Sequence, residues 1–113
     1  MATASKTTTL PGAQADSAYT ALRQVLDRAY DQASNGKGKE RHVREDGQAF
    51  QDQPICTLQR IYGTGYAFGQ AGKKTEEAQR MPRAQAVAEI LGAINYLAAA
   101  VIVLEERPET TAT

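Results

Sequence analysis

GTGYAFGQAGKKT, residues 63–75, decides how the chain is read, because four glycines, a lysine pair and a threonine describe either a phosphate-cradling loop or a stretch of helix. A phosphate loop of the Walker type needs GxxxxGK followed by Ser or Thr, so that backbone amides wrap the phosphate and the hydroxyl holds magnesium. Ala67 stands where the first glycine is required and Lys74 where the hydroxyl is required. A dinucleotide GxGxxG begun at Gly63 and Gly65 meets Phe68 in place of its last glycine, and no strand-like run precedes it. Helical spacing fits instead. Ile55, Leu58, Ile61, Tyr62, Gly65, Phe68, Gly69 and Gly72 recur at intervals that place them on one face, which predicts a single helix from about Asp52 or Gln53, with Pro54 in its first turn, to Met81-Pro82. Each glycine in such a helix costs about 1 kcal/mol relative to alanine, so the glycines are expected to make room, either for a neighbouring helix or for a flat ligand ring.

Two further helices follow from the same periodicity. Ala18, Leu22, Val25, Leu26, Ala29 and Ala33 form a stripe that Asp16 or Ser17 can cap and that Ser34-Asn35-Gly36 can end. From Pro82 to about Glu106, Ala84, Val87, Ala88, Leu91, Ile94, Ala98, Val101 and Ile102 form another stripe, while Ile90, Tyr96, Leu97 and Leu104 cover much of the remaining circumference. The uncharged run Ile90–Leu104 is shorter than the roughly 20 residues that span a bilayer, and it reads as a buried helix. A helix apolar all round wants partners on several sides, more than three helices of one chain supply. The expected fold is therefore all-α, three principal helices in an oligomeric helical bundle. Gly65, Gly69, Gly72, Ala88, Gly92, Asn95 and Ala99 would be the small or register-fixing residues of a homo-oligomer interface through the last helix. The domain is expected at residues 16–106, with tails at 1–15 and 107–113 and a basic loop at 35–51.

Thirteen basic and thirteen acidic side chains cancel, so no net charge steers the molecule toward nucleic acid or an anionic membrane. A single cysteine, Cys56, excludes an internal disulfide or a cysteine-built zinc site, and a lone histidine, His42, gives no metal-ligand cluster. The opening MATASKTTTLPGAQ has no apolar leader stretch, and a cytoplasmic location is expected. Between residues 37 and 44 of the loop, Lys37, Lys39, Arg41 and Arg44 outweigh Glu40, a local net of about +3 with His42 neutral; this is either a solvated connection or an anion-recognising segment. Helical carboxylates at Glu76, Glu77 and Glu89 invite comparison with magnesium-dependent nucleotide pyrophosphatases, but paired ExxE ligands are absent. Lys73 to Glu77 and Glu76 to Arg80 read as surface i,i+4 pairs.

The order of elements in FQDQPICTLQRIYGTGYAFGQAGKK followed by PRAQAVAEILGAINYLAAAVIVLEE resembles small helical proteins encoded by tailed bacteriophages. It is also similar to the phage sponge proteins that sequester cyclic nucleotide signals of bacterial immunity. The matching positions are Phe50, Asp52 to Pro54 and Ala93 to Ile102, within residues 41–106. The aromatic-His-Pro-Pro segment of the sponge family is missing, so none of its site residues carries over. The resemblance implies a class: a non-catalytic, multimeric binder of a phosphate-containing nucleotide signal, without cofactor or metal, acting in the cytoplasm of a phage-infected host. On the residues themselves, Arg41, His42, Lys73 and Lys74 would meet phosphate, Tyr66 and Phe68 would stack on a base, and Gln53 or Gln70 would read polar edges. The alternatives are a protein-interaction module that inhibits a host factor, or a nucleotide hydrolase.

Overall fold

The structure, a computed structural model, describes residues 17–35 and 47–109. The described residues are all helical, with no strand among them. Four α-helices take the place of the expected three: α1 (Thr20–Asn35), α2 (Pro54–Tyr62), α3 (Gly65–Ala78) and α4 (Arg83–Leu104), with a short 3-10 turn at Phe50–Asp52 ahead of α2. The N-terminal tail and most of the basic loop, including Arg41 and His42, lie outside the described residues.

The prolines act as expected. Gln53 is extended and Pro54 occupies the first turn of α2, where its missing N–H costs nothing. Pro82 is likewise extended, and α4 begins at the next residue. The single helix expected through the glycines is instead two, because Gly63 sits at φ 91°, a conformation that side-chain-bearing residues rarely adopt. Its N–H closes α2 on the Gln59 carbonyl at 2.7 Å, and α3 starts after Thr64.

This break changes which face of α3 is buried. Ala67, Ala71, Lys74 and Ala78, spaced by four, three and four residues, turn inward. Gly65, Gly69 and Gly72 turn outward, with nothing within 4 Å of the place a β-carbon would take, and Phe68 is 52% exposed. Among the described residues, none packs against these three glycines. Periodicity counted across Gly63 had assumed a continuous helix, and the two-residue joint resets the phase.

The core lies where α2 and α3 meet α4. Ile55 and Cys56 from α2, Ala67 and Ala71 from α3, and Ala93, Tyr96, Ala99 and Ala100 from α4 form one water-excluded cluster. Alanines on both facing helices leave space for the single large ring of Tyr96, which meets Tyr66 edge-on at 6.0 Å. Arg60 fastens α2 to the end of α4 through two bonds to the Glu106 carboxylate at 2.9 and 2.7 Å.

α4 lies within the span expected for the last helix but is less buried than its apolar run predicted. It has 22 residues, enough by length and composition to cross a membrane, yet about 28% of its most apolar window is buried within the chain. Only Leu91, Ala93, Tyr96, Ala99 and Ala100 are fully covered. α1 lies along another side of α4. Asn95 donates its amide N–H to the Ala29 carbonyl at 2.9 Å, and Gln32 donates to the Ala88 carbonyl at 3.1 Å. The partners descend along α4 as residue number rises along α1, so the two helices run antiparallel.

Candidate functional site

A cleft opens where α1 leans against α4 and the 3-10 turn. Its deeper hollow, about 260 Å³, is walled by Gln32 of α1, Gln53, Lys74 of α3, and Gln85, Glu89 and Asn95 of α4. Phe50 and Tyr96 add aromatic surface. A wider hollow of about 490 Å³ shares Ala33, Phe50, Gln53 and Asn95 with it and extends toward Tyr30, Gln48 and Ile102.

Lys74 is the distinctive group. It falls on the inward stripe of α3, between Ala71 and Ala78, and is 9% exposed. Gly92 on α4 gives its chain room to pass: a β-carbon there would lie 3.4 Å from Cδ, Cε and Nζ of the lysine. The ammonium ends 3.5 Å from Glu89 Oε1 and 5.9 Å from the centre of the Tyr96 ring. An ion pair at 3.5 Å is long for a charge-assisted hydrogen bond, which runs at 2.7–2.9 Å, and an ammonium has three donors. This cation is thus desolvated and loosely compensated.

The amides are held by the backbone. Gln53, 6% exposed, donates to the Gln48 carbonyl at 3.0 Å, and this bond fixes the turn that brings Phe50 over the cleft. Gln32 and Asn95 are held by the α1–α4 bonds already described. Three carboxamides of fixed orientation therefore line one opening and supply polar atoms without adding charge.

Of the residues expected at a ligand site, Lys74 and Gln53 are brought together in this cleft. Lys73, next in sequence, is exposed on the other side of α3 and lines neither hollow. Phe68 is exposed, Gln70 is half-buried, and Tyr66 packs against the core cluster through Tyr96. The residues proposed for an oligomer interface also have places within the chain: Gly92 accommodates Lys74, Asn95 holds α1, and Ala99 is fully buried in the core. Ala88 is exposed beside the cleft.

Sequence reasoning missed Gln32, Gln85, Glu89 and Tyr96 as cleft residues. A usable signal was present in α4, where Glu89 borders the apolar run Ile90–Leu104 and Asn95 interrupts it. Polar groups kept in such a run generally meet partners.

The groups whose titration is shifted line neither hollow. Burial raises the Cys56 thiol above its ordinary value, leaving it protonated within the core. Hydrogen bonding to Arg60 lowers the Glu106 carboxyl, and Arg80 does the same to Glu76, both at the surface. No cluster of three or more His, Cys, Asp or Glu suited to a metal occurs among the described residues.

No protein-family model, curated protein or solved structure matches the chain.

Proposed function

We propose that the protein binds, without turning over, a small phosphate-bearing molecule of nucleotide size in the cleft between α1, α3 and α4. The carrying observation is the desolvated Lys74 ammonium, loosely compensated by Glu89 and bordered by oriented carboxamides and two aromatic rings. A phosphate oxygen would take the free donors of Lys74. A base would lie against Phe50 or Tyr96, and the amides of Gln32, Gln53 and Asn95 would read its edges. Glu89 sharpens the ligand class, because its carboxylate repels a doubly charged phosphate more than a singly charged one. A phosphodiester, as in a cyclic nucleotide, suits the site better than a terminal monoester or a triphosphate. Retention of such a signal would make the protein a sponge of the kind its sequence resembles, countering an antiphage response in the host cytoplasm.

A second reading has its own support. Ile61, Tyr62 and Phe68 are exposed on α2 and α3, and a protein-interaction module inhibiting a host factor would use such apolar surface.

The test is calorimetric titration with 3′,5′-cyclic AMP, a cyclic dinucleotide, AMP and inorganic phosphate, with native mass spectrometry to verify that bound ligand stays intact. Lys74→Met should weaken binding of the preferred diester by ten-fold or more, the size expected for a charged hydrogen bond in a desolvated site, while Lys73→Ala leaves it unchanged. Equal loss in both variants, or no binding of any probe by the wild type, would sink the assignment. Tight binding of AMP over the diesters would remove the role given to Glu89.

A further inference from the structure

Among the described residues, α4 has neighbours on two sides and none on a third. Ala93, Tyr96, Ala99 and Ala100 face α2 and α3, and Asn95 with the Ala88 carbonyl holds α1. Ile90, Ile94, Leu97 and Val101, spaced by four, three and four residues, fall on the remaining side as a straight row. Leu97 is 45% and Val101 53% exposed, although both belong to the most apolar helix of the chain. Half-buried Val87 and Leu104 prolong the row at its two ends. From Val87 to Leu104 it runs about 26 Å at 1.5 Å per residue.

Its ends are oppositely charged. Arg83 lies seven residues before Ile90, and Glu105 lies four after Val101, so both belong to the same side of the helix. Both are exposed, and neither joins an ion pair among the described residues.

We infer that this row is the contact of a two-fold dimer with a second copy of the chain, the two α4 helices packing antiparallel about Ile94. Ile94 is the midpoint of Arg83 and Glu105 in sequence. An antiparallel crossing centred there sets each arginine against the glutamate of the other copy and opposes the helix dipoles. A parallel pair would set like charges together at both ends. The narrowness of the row argues against a bilayer as the occupant, since α1 and the Lys74–Glu89 pair occupy the other sides of the helix. The contact is independent of the ligand cleft.

Sedimentation equilibrium of the full chain at tens of micromolar should give twice the 12.2 kDa chain mass. Leu97→Glu should give a monomer with unchanged helical circular dichroism. Arg83→Glu alone should weaken dimerisation several-fold, and Arg83→Glu with Glu105→Arg should restore it. Ile94→Cys should cross-link two chains under mild oxidation, with Cys56 protected in the core, and this readout does not depend on how Leu97→Glu folds. A wild-type monomer, a dimer that survives Leu97→Glu, or failure of the charge swap to restore association would overturn the inference. Partition of the wild type into phosphatidylcholine vesicles, abolished by Leu97→Glu, would overturn it in favour of a membrane.

Discussion

The α2–α3–α4 unit and the α1 seam are held by different physics. In the first, Ile55, Cys56 and the facing alanines of α3 and α4 exclude water around Tyr96. In the second, a 16-residue helix buries one residue completely, Ala29, and is positioned by two side-chain amides donating to backbone carbonyls. Burial is non-directional and cumulative, whereas an amide bond positions but contributes only about 0.5–1.5 kcal/mol net. The seam should therefore open at a lower free energy than the core, and the candidate ligand cleft lies on that seam. A ligand touching Gln32 and Lys74 together would tie the loose helix to the packed unit.

The comparison breaks most visibly through the core. Ile55, 1% exposed, should cost about 2–5 kcal/mol when cut to alanine, read as a lower urea midpoint of the whole chain. At the seam, Asn95→Ala should cost about 1–2 kcal/mol, with faster amide hydrogen exchange confined to α1 and nearly native protection in α2 and α3. Uniform acceleration across all four helices would instead show that α1 and the core open as one. The smallest effect belongs to the clip between Arg60 and Glu106. The Glu106 carboxyl is lowered in the folded chain by its hydrogen bond to Arg60, so its contribution is present above the ordinary carboxylate value of 4.5 and is lost as pH falls through the lower folded value. Because the carboxylate faces solvent, Arg60→Gln should shift the acid limb of a stability profile only slightly.

Much of the frame was legible because prolines and amphipathic spacing are local signals. Pro54 and Pro82 mark helix starts, and the Leu22–Ala33 stripe lies within the helix described at Thr20–Asn35. Gly63 was not legible as a break, since nothing in its immediate sequence distinguishes the glycine that needs positive φ from Gly65, Gly69 and Gly72, which sit in ordinary helix. The inward face of α3 was hidden for a related reason: three alanines carry little hydropathic weight, and the fourth member, Lys74, argues for the surface until Gly92 and Glu89 are brought beside it from another helix. Gln53 and Lys74 were named as site residues, but their meeting depends on tertiary placement. Arg41 and His42 lie outside the described residues.

Gly63 also has a stereochemical meaning. Its backbone, at φ 91° and ψ 162°, lies in a region of positive φ that is open essentially to glycine alone. The joint between α2 and α3 is thus a position that L-amino acids avoid. The protein fills it with its one achiral residue type, and the direction in which α3 leaves α2 rests on that single absence of a stereocentre.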